Sequence, residues 1–137
     1  MNKNHIIKEL SIKNGWKLGV HLFTTQKRMI KFGESIGDPI DDGKKVWALY
    51  QSHVHFYNVN GILVRLPYLG DILFNKEHFS TEILAHECCH LAIDAFRNIE
   101  DKKVEISTEV DNAEEDFCYL LGEVTQEVWS LIKEYIE

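Results

Sequence analysis

Five consecutive residues, His86-Glu87-Cys88-Cys89-His90, combine side chains that bind metals with one that can move a proton. Residues four apart lie on one face of an α-helix, so both imidazoles can converge on one cation. Glu87 lies about 100° around the helix from His86, within reach of a water on that metal. A zinc ion lowers the pKa of its water ligand to about 7. The spacing therefore predicts zinc-dependent hydrolysis, with Glu87 as the general base.

A zinc site built on two histidines needs a third protein ligand, and several acids follow the motif. The candidates are Glu105, Glu109, Glu114 and Glu115. Glu109 lies before the expected start of the last helix, whereas Glu114 and Glu115 stand at its beginning. Helical geometry does not decide between these two, because Glu114 lies close to the apolar stripe and Glu115 shares a face with small residues. A thiolate ligand from Cys118 is a further alternative.

Other residues near the motif have competing interpretations. Asp94 shares the histidine face one turn on, where it either supports a metal ligand or is a surface charge. Glu115 also suits a capping box with Asn112, which is a purely structural role. Cys88 and Cys89 point away from the histidine face and are interpreted as small core residues.

Two helices are predicted in the second half of the chain. The first is capped by Ser80 or Thr81 and carries the metal motif. The second begins near Asp111 or Asn112, and its apolar residues recur every three or four positions. They are Phe117, Leu121, Val124, Val128, Leu131 and Tyr135. A stripe of this kind is typical of a helix packed on a core.

The first half of the chain is rich in strand patterns. Trp16–Phe23 and Lys45–Tyr57 favour β-structure, and Asn60-Gly61 predicts a hairpin turn back into Ile62–Leu66. Tyr68–Phe74 is expected to add a short edge strand. Strands followed by two long helices indicate an α+β fold.

Two shorter segments in this half are predicted to be helical. The opening, up to about Gly15, suits a short helix through Ile6, Ile7 and Leu10. A second helix is expected over Thr24–Phe32, ending at Gly33.

Composition limits the class of protein. The 137 residues (16.0 kDa) fit one domain covering residues 1–137. The formal net charge of −7 disfavours nucleic-acid partners, which require clustered Lys and Arg to displace counterions. No apolar run approaches the roughly 20 residues needed to cross a bilayer. Three cysteines, an odd number without framework spacing, favour a reducing compartment and hence a cytoplasmic location.

The two motif regions together resemble a known family. The segments Ala85–His90 and Glu114–Gly122 are similar to small HExxH-plus-Glu, gluzincin-like metallopeptidase-like proteins of phages and prophages. In that family the last helix opens with a Glu, a small residue, a Tyr and a Gly. The resemblance covers residues 45–130 approximately. It implies a minimal zincin-like domain, in which a small antiparallel or mixed sheet packs on the HExxH helix and a C-terminal helix.

The same resemblance assigns residues of the last helix to roles. Glu115 takes the position of the third zinc ligand, beside His86 and His90. Cys118 takes the small position, Tyr119 the tyrosine position and Gly122 the glycine position. Tyr119, one turn beyond Glu115, is a candidate catalytic donor to a tetrahedral intermediate, or else a core tyrosine.

Two strand histidines are also candidates. His53 and His55 alternate on one face close to the expected hairpin. They either line a cleft and assist an oxyanion, or are ordinary strand histidines.

The sequence predicts a small zinc metallopeptidase that acts on a protein or peptide substrate, held extended by an edge strand such as Ile62–Leu66 or Tyr68–Phe74. A protein partner or a homodimer would complete the cleft. The first alternative is a non-catalytic, metal-containing phage accessory protein that binds a host protein. The second, a metal-dependent nuclease, is disfavoured by the net charge.

Overall fold

The computed structural model describes residues 4–37, 40, 46–53, 56–102 and 112–136. Its six strands are β1 (His5–Ser11), β2 (Lys17–Phe23), β3 (Ala48–Ser52), β4 (Phe56–Val59), β5 (Ile62–Arg65) and β6 (Tyr68–Asn75). Its three α-helices are α1 (Gln26–Ile36), α2 (Thr81–Asn98) and α3 (Asn112–Ile136). The α+β class predicted from the sequence is confirmed.

Four strands form a mixed sheet in the order β1-β2-β6-β3. The two middle strands, β2 and β6, are parallel, with Lys17 opposite Tyr68 and Phe23 opposite Asn75. Strands β1 and β3 each pair antiparallel on the outside. The expectation that Tyr68–Phe74 is a short edge strand is therefore wrong. This segment is the longest strand and lies inside the sheet, because it is apolar on both faces and can be covered on both.

The opening segment is a strand rather than a helix. Residues His5–Ser11 pair in continuous register with β2, from His5 opposite Phe23 to Ser11 opposite Lys17. The β-branched pair Ile6 and Ile7 suits this conformation. The pairing with β2 decides the structure here, because the apolar spacing of so short a segment is compatible with either a helix or a strand.

Helices α2 and α3 cover one face of the sheet. Ser80 caps α2 by accepting a hydrogen bond from the Ile83 backbone N–H, as its sequence position predicts. The helices run antiparallel, with Phe96 against Phe117 at one end and Phe79 against Trp129 at the other. Between helices and sheet lies the main core, which includes Leu18, Val20, Leu22, Ile72, Phe74, Leu91, Val124 and Ile132.

Helix α1 packs on the opposite face of the sheet, against Phe23 and Leu73. It is capped by Thr25 and continues through Gly33 to Ile36, so the expected stop at Gly33 is wrong. A Cβ at Gly33 would lie 3.0 Å from a Leu49 methyl group. The glycine allows the helix to approach β3 closely instead of ending the helix.

Strands β4 and β5 form a separate two-stranded ribbon. Its turn has Asn60 and Gly61 with φ of 52° and 83°, the left-handed conformations that an Asn-Gly hairpin turn requires. The predicted hairpin is confirmed. Five large hydrophobic side chains on this ribbon are exposed, namely Phe56, Tyr57, Val59, Ile62 and Leu63.

A buried carboxylate lies on the α1 face of the sheet. Asp71 of β6 is 8% exposed and accepts hydrogen bonds from Tyr68 Oη and His21 Nε2, at 2.8 and 2.7 Å. His53 Nε2 lies 3.0 Å from its other oxygen. A Cβ at Gly19 would collide with the Asp71 carboxylate, so glycine there makes room for the cluster. Burial by itself raises the pKa of Asp71, but the hydrogen bonds from His21 and Tyr68 outweigh burial and leave this pKa below its ordinary value.

We expect Asp71→Asn to lower the free energy of unfolding by about 1–3 kcal/mol, because the partners lose a buried charged acceptor. A carboxyl group whose pKa is lower in the folded than in the unfolded protein stabilises the folded state. This stabilisation is complete above the unfolded pKa of about 3.9 and is lost as the pH falls through the pKa of the folded protein. The difference between the two proteins should therefore shrink from pH 5 to pH 3 in urea unfolding. The matched control is Asp116→Asn, which removes an exposed ion pair with Lys102 and should change stability by less than about 1 kcal/mol. An equal effect of both substitutions would contradict this account.

Candidate metal centre

The two motif histidines converge on the surface of α2. His86 and His90 are both exposed, and their Nε2 atoms lie 3.2 Å apart. Two nitrogen ligands on one tetrahedral zinc ion, each at about 2.0–2.1 Å, are separated by roughly 3.3 Å. The separation is thus compatible with two ligands of one metal ion, and it is equally that of a hydrogen bond between the two rings.

Glu87 lies beside this pair, between α2 and strand β3. It is 8% exposed, and its carboxylate accepts a hydrogen bond from the Tyr50 backbone N–H. Burial raises the pKa of Glu87 above its ordinary value, while the neighbouring His90 and His86 oppose this shift. The Tyr50 backbone of β3 thus holds the Glu87 carboxylate in place, close to the two histidines of α2.

The described residues do not complete a three-ligand site. Within them, no group of three or more His, Cys, Asp or Glu side chains is arranged to hold a metal ion. Glu115 lies exposed on the first turn of α3, and Glu114 beside it is half-buried. Glu105 and Glu109 lie outside the described residues. The structure brings together His86, Glu87 and His90, but it does not bring Glu115 to them.

The face of α3 that carries Glu115 is open to solvent. Tyr119 is 74% exposed, so it is not a core tyrosine, and Cys118 is exposed as well. A Cβ placed at Gly122 would meet no atom within 4 Å. Within the described part of the chain, no other helix packs against the small residues of this face, Cys118 and Gly122.

Asp94 has a role that spacing alone left open. One of its oxygens accepts a hydrogen bond from Tyr50 Oη at 2.6 Å, and the other accepts one from Asn98 Nδ2 at 2.7 Å. Asn98 in turn accepts a hydrogen bond from Arg65 Nη1 at 2.6 Å. Burial, and then the bond to Asp94, raise the pKa of Tyr50. Asp94 thus joins α2 to β3, and no sequence pattern indicated Tyr50 as its partner.

Tyr50→Phe is expected to lower the free energy of unfolding by about 1.5–3 kcal/mol, because it removes a hydrogen bond to a charged acceptor in a half-buried position. The matched control is Tyr57→Phe on β4, where the tyrosine is 45% exposed and the change should stay within about 0.5 kcal/mol. Urea unfolding of both variants measures the difference. If the two substitutions changed the free energy of unfolding equally, the Tyr50–Asp94 hydrogen bond would not be what holds β3 to α2.

Two cavities flank Glu87 along the groove between β3 and α2. One, of about 480 Å³, lies on the His86 side and has apolar walls from Trp47 and Ile83. The other, of about 390 Å³, lies on the His90 side and ends at Arg97. Glu87 lines both cavities, so its carboxylate lies between them.

His53 does not line this groove. Its Nε2 lies 3.0 Å from Asp71 on the opposite face of the sheet, and His55 lies outside the described residues. In place of the cleft role considered for His53, the structure shows a contact with the Asp71 carboxylate. The sequence feature that could have indicated this contact is Asp71, the single acid within the apolar run of β6. A charge buried in a strand needs polar partners.

The cysteines of the motif lie away from the histidines. Cys88 is buried, and burial raises the pKa of its thiol to about 11. This confirms Cys88 as a core residue, whereas Cys89 is only half-buried. All three cysteines are free thiols.

Comparison with protein-family models, with curated proteins and with solved structures gave no match to this chain. In the described part of the chain, no helix has the length and apolar character required to span a membrane. The functional argument therefore depends on the geometry of the groove residues.

Proposed function

We propose that this protein is a small zinc-dependent peptidase whose centre is the groove between α2 and β3. The observation that carries the proposal is the 3.2 Å separation of His86 Nε2 and His90 Nε2, with the Glu87 carboxylate beside them. A zinc ion held by the two imidazoles would supply a water of pKa about 7 and polarise a carbonyl oxygen.

Glu87 is proposed as the general base. The backbone N–H of Tyr50 fixes its carboxylate on the wall of the groove, where it can accept a proton from an attacking water. The same carboxyl can then pass that proton to the leaving amine. Because the carboxylate is shielded from bulk solvent, its hydrogen bonds are stronger than on an open surface.

Glu115 remains the proposed third ligand, as the resemblance implies. Its support is that the residue is exposed and forms no ion pair within the described residues. Asp94 is a poorer choice, because both of its oxygens are engaged by Tyr50 and Asn98. Tyr119 is retained as a proposed donor to the substrate oxyanion, since its side chain is also exposed.

The groove favours an extended peptide as the substrate. Among the described residues β3 is the last strand of the sheet on this side, so its outer edge can pair with an added strand. Beyond His86 the walls are mainly apolar, although Glu82 also lines them. Beyond His90 the lining carries the exposed cation of Arg97, while the acid there, Asp94, is engaged by Tyr50 and Asn98. We therefore propose a substrate with an apolar side chain on one side of the cleaved bond and an acidic group on the other. The free thiols suit a reducing compartment such as the cytoplasm.

The experiment offers a proteome-derived peptide library to zinc-loaded and zinc-free protein, with mass spectrometry of the new termini. Zinc-dependent cleavage with apolar and acidic residues around the cut is the expected result. Failure to bind zinc would overturn the proposal.

A metal-containing binding protein is the second candidate function. It is favoured by the β4–β5 ribbon, which exposes Phe56, Ile62 and Leu63 outside the main sheet. Apolar exposure of this kind is typical of surfaces that contact another protein. Stoichiometric zinc without any cleavage of the library would select this candidate over the peptidase.

A further inference from the structure

Another cavity lies on the face of the sheet opposite the proposed metal centre. It has a volume of about 310 Å³ and is bounded by β1, β2 and α1. Its lining residues are Asn4, His5, Phe23, Arg28, Lys31, Phe32 and Ser35. The set contains two cations and no acid, in a chain whose net charge is −7.

The cations of this cavity are not neutralised by neighbours. Arg28 and Lys31 are exposed on α1, and neither forms an ion pair within the described residues. They lie three positions apart and so project on the same side of the helix. Two unpaired cations on one wall favour an anionic ligand.

The other wall is aromatic. His5 stacks on Phe23 with ring centroids 4.0 Å apart, and its centroid lies 5.0 Å from that of Phe32 in an edge arrangement. Phe23 is buried, so the ring surfaces open to a ligand are those of the half-buried His5 and Phe32. A bare anion would leave them uncovered, whereas a flat ring can pack against them. The walls together suit an anionic group attached to a flat ring.

His5 is connected to the buried Asp71 through His21. The distance from His5 Nε2 to His21 Nδ1 is 2.8 Å, and that from His21 Nε2 to Asp71 Oδ1 is 2.7 Å. The Asp71 carboxylate can only accept, so His21 Nε2 donates to it. In the neutral form of His21 the other ring nitrogen, Nδ1, accepts, and His5 then donates to it from Nε2. A neutral His5 is therefore left with an unprotonated Nδ1, the ring nitrogen available to a ligand.

We propose that this cavity binds a small carboxylate carrying a flat ring, and that His5 takes up one proton from solvent at Nδ1 as the carboxylate binds. In the free protein, burial lowers the pKa of His5, and a positive charge on His21, when that ring is protonated, would lower it further. The groups that act on His5 are His21 from β2, Asp71 from β6 through His21, and Arg28 and Lys31 from α1. A bound carboxylate adds the negative charge that favours protonated His5.

The test titrates benzoate into the protein by calorimetry at pH 7, in two buffers with different ionisation enthalpies. Acetate supplies the charge without the ring, and benzyl alcohol supplies the ring without the charge. We expect benzoate to bind at least about tenfold more tightly than either, with an uptake of between half a proton and one proton per benzoate.

Two lysines of α1 provide a matched pair of variants. Lys31 lines the cavity and Lys27 does not, although both are exposed. Lys31→Glu should weaken benzoate binding at least about tenfold, and Lys27→Glu should leave it within about twofold. His5→Phe keeps an aromatic wall but should abolish proton uptake.

Three results would overturn the proposal. They are the absence of benzoate binding at 20 mM in the parent protein, equal binding of benzyl alcohol, and equal effects of the two lysine substitutions. Benzoate binding without proton uptake would also exclude the role of His5. None of these measurements depends on zinc or on peptide cleavage.

Discussion

Glu87→Gln is expected to leave zinc binding unchanged and to reduce peptide hydrolysis by about 10²–10⁴-fold, the usual contribution of a general base. Glutamine has nearly the same shape and can still accept the hydrogen bond from the Tyr50 backbone N–H. What it lacks is the ability to take a proton from water. Zinc stoichiometry and single-turnover cleavage of a peptide found in the library experiment measure the two effects separately.

Glu134→Gln is the matched control for this loss. Glu134 is exposed on α3, and the substitution makes the same change of charge. It should preserve the rate within about twofold. A Glu87→Gln protein that cleaves at the parental rate would exclude Glu87 as the base, and a biological effect that survives this substitution would exclude hydrolysis as its cause.

His86→Ala and His90→Ala are each expected to weaken zinc binding by more than about 100-fold, which exceeds the 10–100-fold cost of losing a residue that merely supports a ligand. Both side chains are exposed, so the free energy of unfolding of the zinc-free protein should change by no more than about 0.5 kcal/mol. Competition with a chromophoric chelator measures the affinity. His78→Ala, at an exposed histidine before α2, is the control and should retain zinc.

The same titration identifies the third ligand. Glu115→Ala should weaken zinc binding to a similar extent, while Glu114→Ala should not. A loss with Glu114→Ala alone would move the ligand by one position, and a loss with Glu109→Ala would place it before α3. Parental affinity in all three variants would contradict an acidic third ligand from this region.

The parts of the fold that sequence predicted well are those determined by local interactions. The Ser80 cap and the apolar spacing of α2 and α3 are read within a few turns, and the Asn60-Gly61 turn requires only its own two residues. The convergence of His86 and His90 follows from helix geometry in the same way.

The parts that sequence missed depend on which elements become neighbours. The inner position of β6 and the pairing of β1 are set by strand order, which periodicity does not encode. The Tyr50–Asp94 bond joins residues from different elements for the same reason. The position of Glu115 relative to the histidines likewise depends on how the chain connects α2 to α3.

The parallel pairing of β2 with β6 has a consequence for the order of folding. The two strands are joined by a long crossover that contains α1 and the strands β3, β4 and β5. Closing such a loop costs entropy before the pairing repays it, so mixed sheets of this kind nucleate more slowly than helical bundles. Helix α2 can form its hydrogen bonds early, but the surface on which it rests exists only after this crossover has closed. The histidine helix is therefore expected to become anchored late, so that the proposed zinc site reaches its full affinity only when the sheet is complete.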